Sequence, residues 1–191
     1  MTAICLNLDS LTSELTHEQF YELCIANQDI AMERSPQGEL IIMPPVGGES
    51  GIGEANYITD LNIWNRQTGL GKVFSSSAVF NLPGGGDRSP DAAWVQLKRW
   101  EALTPEQRKK FPPICPDFVI ELRSESDRLQ PLQSKMQEYL ASGLRLGWLI
   151  NPQDQTVEIY RPDQPVEVRP LPATLSGEEV LPEFSLAICE F

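Results

Sequence analysis

Two carboxylates in this sequence stand where a carboxylate is costly. Asp91 opens the run Ser89-Pro90-Asp91-Ala92-Ala93-Trp94-Val95, and Glu121 lies inside Pro116-Asp117-Phe118-Val119-Ile120-Glu121-Leu122-Arg123. Each sits at the polar end of a short apolar strand. An acid there loses its hydration unless it meets a cation. Two such acids on neighbouring strands can share one divalent ion, as oxygen-only Mg²⁺ sites do. With a lysine on the next helix, they outline a metal-dependent phosphodiesterase centre.

Each residue also has a plainer reading. Asp91 is equally a turn aspartate after Ser-Pro. Glu121 can pair with Arg123, two residues on and so on the same face of a strand. Lys135 lies beside Met136 in an amphipathic segment, where most lysines are solvated, and its interest comes from the helix following directly on the Glu121 strand. Tyr139, four residues later, shares its side. Glu49 and Glu54 are five residues apart, about 140° around a helix, so both cannot face one site. Glu49, just after Gly47-Gly48, is the better placed, although a helix-start glutamate is equally common. Asp117 shares a face with Glu121 but is too far along the strand to share an ion.

The elements that must position these groups can be read in order. Thr16-His17-Glu18-Gln19 forms a capping box that opens a helix through about residue 27. Segments 29–33 and 39–43 flank Ser35-Pro36-Gln37-Gly38 and read as a hairpin. A helix of moderate periodicity is expected over 49–67, and an extended segment over 72–82. Pro83-Gly84-Gly85-Gly86-Asp87 must be a loop. Strand 91–95 follows, then a second capping box, Thr104-Pro105-Glu106-Gln107. Strand 118–122 leads into a helix over 127–142 with Leu129, Leu132, Met136 and Leu140 on one face and Gly143 as its stop. A hairpin over 146–150 and 156–160 closes the pattern, with 166–168 extending the sheet. The fold class is α/β, a mixed β-sheet flanked by helices, because hairpins alternate with a strand–helix–strand crossover.

Composition narrows the function. The 191 residues are 41% hydrophobic and 22% charged, as in an ordinary globular chain, with one domain expected over 1–191 and loose ordering over 1–15. A formal charge of −12 excludes a uniformly basic surface, so nucleic acid can bind only through a local patch. Lys98, Arg99, Arg108, Lys109 and Lys110 make the densest basic stretch and are the candidates for phosphate contacts, or else a solvated helix face. One histidine and four scattered cysteines argue against a zinc site and for reduced thiols. No signal peptide or spanning segment is legible, so a cytoplasmic, non-membrane protein is expected. His17 sits in a first helical turn, so a Ser-His-Asp triad has little support, and the triple glycine lacks the residues of a P-loop. A pair of carboxylates can also serve as acid and base in glycoside hydrolysis.

In these residues the chain resembles a bacterial family described as restriction endonucleases, a branch of the PD-(D/E)XK nuclease superfamily. The matching stretches are those around Asp91 and Glu121, together with Met43-Pro44-Pro45-Val46-Gly47-Gly48-Glu49-Ser50-Gly51, Lys135-Met136-Gln137-Glu138-Tyr139 and Gly147-Trp148-Leu149-Ile150-Asn151-Pro152. The resemblance implies a restriction endonuclease-like core, Asp91 and Glu121 as ligands of Mg²⁺ or Mn²⁺, Glu49 as an auxiliary acid, DNA as substrate and a possible homodimer. The superfamily lysine two residues after the second acid is Arg123 here, which cannot act as a base. The resemblance makes Lys135 its replacement. A member that keeps the fold for binding without catalysis is the alternative.

Overall fold

The computed structural model describes residues 14–189. The ordering expected for 1–15 therefore lies outside the described residues except at its end. There Leu15 is buried and its N–H donates to Gly38 O at 3.0 Å.

A six-stranded mixed sheet forms the centre. Its order is β10 (Glu167–Pro170), β9 (Thr156–Tyr160), β8 (Leu146–Asn151), β7 (Phe118–Leu122), β6 (Ala92–Gln96) and β3 (Gly71–Ser75). Only β7 and β8 run parallel, joined through helix α5 (Leu129–Ala141), as the crossover predicts. The central strands are buried on both faces, so β7 and β8 read as continuous apolar runs rather than alternating ones.

Alternation still sorts their side chains. Phe118, Ile120 and Leu122 face one cluster with Trp94, Trp148 and Ile150, covered by Tyr57, Leu61 and Trp64 of helix α2 (Gly48–Thr68). Leu181, Phe184, Leu186 and Ile188 complete that cluster, so the apolar C-terminal stretch closes the chain's own core. It does so from the hairpin of β11 (Ala173–Ser176) and β12 (Ser185–Ile188). Val119 faces the other cluster with Ala93, Val95, Leu149, and Met136 and Tyr139 of α5. Glu121, two residues from Val119, falls on this α5 side.

A second, four-stranded sheet has the order β2 (Leu40–Ile42), β1 (Met32–Arg34), β5 (Asp87–Arg88) and β4 (Phe80–Asn81). It contains the early hairpin, with Arg34 opposite Leu40. The extended segment expected over 72–82 is two strands in two different sheets. A turn at Ser75–Ala78 divides it, with Ala78 N–H donating to Ser75 O at 3.0 Å. Both capping boxes form, opening α1 (His17–Ala26) and α4 (Pro105–Lys109). A further short helix, α3 (Leu97–Glu101), follows β6. Among the described residues no helix is long and apolar enough to cross a membrane.

Candidate functional site

Asp91 directly precedes β6, and Glu121 is the fourth residue of the antiparallel neighbour β7. Ala92 lies opposite Ile120, so the two acids meet at one end of the sheet. Asp91 Oδ2 accepts from Leu122 N–H at 2.6 Å, which ties the first acid to the strand of the second. Glu121 is only 2% exposed.

Lys135 reaches this pair from α5. Its Nζ lies 2.8 Å from Glu121 Oε1 and 2.8 Å from Glu33 Oε1, and it donates to Ser89 O at 3.1 Å. Three donors thus meet three acceptors, which satisfies an ammonium buried to 7% exposure. One turn along the helix, Tyr139 O–H donates to Glu121 Oε1 at 3.0 Å. The face of α5 that meets the site is therefore Lys135–Tyr139, beside the leucine stripe visible in the sequence.

Glu33, in the middle of β1, was not singled out by its sequence. It takes Lys135 and Ser89 N–H (2.8 Å) on Oε1 and Arg88 (2.9 Å) on Oε2. Arg88 in turn forms a two-pronged pair with Glu138, at 2.7 and 2.8 Å. One buried network thus runs from the small sheet through the site to α5. The only sequence signal for Glu33 was an acid between Met32 and Arg34 in a short hairpin strand, a pattern with many other meanings.

The charges are unevenly balanced. Burial first, then the neighbouring Glu121 carboxylate, push the Asp91 carboxyl well above its usual range, against Lys135 and the Leu122 N–H. Burial likewise raises Glu121, although Lys135 opposes it. Burial would raise Glu33 too, but Lys135 and Arg88 together outweigh it and hold that carboxyl low. Burial alone would lower Lys135, yet Glu121, Glu33 and Asp91 raise it far enough to keep the ammonium charged.

Glu54, not Glu49, lines the cleft with Asp91 and Glu121. Glu49 is exposed in the first turn of α2 and lines a separate hollow with Arg123 and Ser124, because the intervening residues turn it to another side of the helix. Burial raises Glu54, with Ser76 opposing. Arg123 is not the partner of Glu121. Its guanidinium turns to Asn151 at 3.1 Å, Asp154 at 3.2 Å and Asp127 O at 3.1 Å. Asp117 is buried at the opposite end of β7, paired with Arg99 at 2.9 Å.

The basic stretch does not line the cleft either. Lys98 and Arg99 belong to α3, beyond the far end of β6, roughly 17 Å from Asp91 at about 3.3 Å per strand residue. Arg108, Lys109 and Lys110 border a separate hollow with Tyr21 and Trp100. Lys110 Nζ stands 5.2 Å from the Tyr21 ring centre.

The donor set suits a hard cation of low protein ligation. Among the described residues no group of three or more His, Cys, Asp or Glu side chains is arranged to hold a metal. Two carboxylates on adjacent strands remain, and among the described residues Asp91 accepts through Oδ2, from Leu122 N–H, and no hydrogen bond reaches Oδ1. Mg²⁺ is commonly held by one or two carboxylates while keeping several waters. Burial, and after it the neighbouring Glu121 carboxylate, disfavour the charged form of Asp91, and such a cation would offset both.

Comparison with known proteins agrees with this architecture. A crystal structure of a "putative nuclease belonging to DUF820" from Anabaena variabilis superposes with a TM-score of 0.71 at 24% identity, over 82% of this chain and 87% of that one. The fold is thus restriction endonuclease-like, a mixed sheet flanked by helices. No curated protein matches the sequence. The model of the Uma2 family, described as "Putative restriction endonuclease", matches residues 17–189, and on that match the chain belongs to the Uma2 family.

Proposed function

We propose that the protein is a metal-dependent endonuclease that hydrolyses DNA phosphodiester bonds, carried by a single domain. The observation that supports this best is Lys135. It arrives from a different element than the usual pattern, yet it stands on Glu121 and beside Asp91, while Arg123 turns away.

In this reading Asp91 and Glu121, with the Leu122 carbonyl, would hold Mg²⁺ or Mn²⁺, which when bound would lower the pKa of a water and offset charge on the phosphate. Asp91 offers the oxygen that Leu122 N–H leaves free. Lys135 stays protonated, so it acts as a fixed cation facing the charge that develops on the phosphate, not as a base. Glu33 and Ser89 O hold the ammonium in place, and Tyr139 fixes the Glu121 carboxyl. Glu54 is the auxiliary acid on this reading, in place of Glu49.

Support for a nuclease comes from the family and from this arrangement together. The test uses radiolabelled single-stranded DNA, duplex DNA and RNA of one sequence, each with Mg²⁺, Mn²⁺ or EDTA. Cleavage of DNA that needs the metal is expected. Cleavage in EDTA, or cleavage of RNA alone, would contradict the proposal.

A further inference from the structure

The lining of the cleft that holds the acids is chemically mixed. Besides the carboxylates, Ile42, Met43, Pro44, Pro45 and Val46 line the same space of about 580 Å³. Ile42 is 49% and Val46 50% exposed. Ile42 ends β2, an edge strand, and the next residues continue toward the start of α2. Phosphate chemistry has no use for such a wall, and apolar surface left in water is unfavourable. Pro44 and Pro45 have fixed φ, so the segment loses little freedom when a ligand covers it.

A nucleic acid brings two kinds of group, charged phosphates and bases with apolar faces. In a duplex the base faces are stacked on one another and only their edges reach the grooves. A proline–valine wall can therefore meet a base face only when that base has left the stack. The surrounding charge gives the same answer. Of the three cations that line the cleft, Arg88 and Lys135 are already bonded to carboxylates and Arg128 alone is exposed, while Lys98, Arg99, Lys109 and Lys110 lie outside it. A duplex backbone laid across this end would find few free cations. The volume falls within the range of small-ligand pockets.

We propose that the cleft takes a nucleotide whose base is unpaired, with the base packed on Ile42–Val46 and its phosphate at Asp91 and Glu121. The placement of the phosphate rests on the nuclease reading above. The placement of the base rests on the wall.

The test measures binding and cleavage separately, with the full-length protein. Oligonucleotides carrying 2-aminopurine in a single strand, in a one-base bulge or in a fully paired duplex are titrated in Ca²⁺, and fluorescence gives Kd. Single strand and bulge should bind about tenfold more tightly than duplex. The double variant Ile42→Ser/Val46→Ser should bind the unpaired probes about tenfold more weakly, equivalent to about 1.4 kcal/mol. Val46→Thr alone, closest in shape to the native side chain, should show a smaller loss of the same sign if the double variant melts early. Equal affinity for paired and unpaired probes, no binding of any probe, or unaltered affinity in both variants would overturn the inference. Cleavage of the same probes in Mn²⁺ is scored independently. A preference for unpaired bases without cleavage would sink the nuclease reading and leave the base-binding wall standing, whereas cleavage without preference would do the reverse.

Discussion

At the scale of single residues, the site places function and stability in opposition at Asp91. Its folded-state pKa is raised, so folding favours the neutral form. The stability contributed by this group is complete below the ordinary value of 3.8 and is lost as pH rises through the higher folded value. In EDTA, Asp91→Asn should therefore melt above wild type at pH 7.5, by about 2–4 °C for each ~1 kcal/mol relieved. The gap should close toward pH 4, where both side chains are neutral, and should narrow when Mg²⁺ is added to wild type. Thermal melts across pH check this, and a variant less stable than wild type at pH 7.5 would count against it. Lys135 and Glu33 should behave in the opposite sense. Lys135→Met leaves the buried Glu121 carboxylate without its cation, at a cost of about 3–5 kcal/mol in urea unfolding, and Glu33→Gln, which leaves Lys135 on Glu121 and Arg88 on Glu138, should cost less. Asp91 and Glu121 stood out in the sequence because an acid at the polar end of an apolar strand loses its hydration unless it meets a cation, although a turn aspartate explained Asp91 equally well. Glu33 did not stand out, because its partners Lys135 and Arg88 lie far away in sequence and its own neighbours give no pattern.

At the scale of elements, positions of close approach decide how firmly the site is held. A Cβ on Gly71 would meet Val95 O and the Trp94 ring at 2.3 Å, so β3 could not pair with β6 at its present register. Gly71→Ala should cost about 3 kcal/mol. A Cβ on Gly147 would meet the tips of Met136 at 2.5 Å and Leu144 at 2.8 Å, both flexible ends. Gly147→Ala should cost only about 1 kcal/mol. Because Met136 adjoins Lys135 on α5, that substitution should lower cleavage more than it lowers stability. Denaturant unfolding and cleavage rates on the two variants separate the effects. The elements themselves were largely visible. Both capping boxes, the early hairpin, β7 and α5 follow from local chemistry that tertiary contacts do not override. The segment split between β3 and β4 was not visible, since its two halves have similar propensity and only the sheet they join differs. Nor was the burial of Lys135, because helical periodicity places it beside the apolar stripe and cannot reveal a carboxylate on a facing strand.

At the scale of the whole molecule, a chain of net charge −12 carries a cleft in which Arg88 and Lys135 are paired with carboxylates and Arg128 is the one remaining cation of the lining. Association with nucleic acid should then release few counterions. The slope of log K against log salt should lie near −2, well short of the slopes of proteins making 6–10 phosphate contacts. Lys109→Ala/Lys110→Ala should shift affinity less than about twofold, since neither lysine lines the cleft. Filter binding at several salt concentrations checks both, and a steep slope would mean that the basic stretch engages the backbone after all. Two strand-borne acids and a lysine from α5 would form one metal-dependent centre. Nicking of supercoiled plasmid in Mn²⁺ tests it most directly, comparing wild type with Asp91→Asn, whose fold should be at least as stable. Wild type should nick, EDTA should abolish the nicking, and the variant should nick about a hundredfold or more slowly, the scale of losing a main electrostatic contribution to catalysis. Equal nicking by the two proteins would contradict that centre.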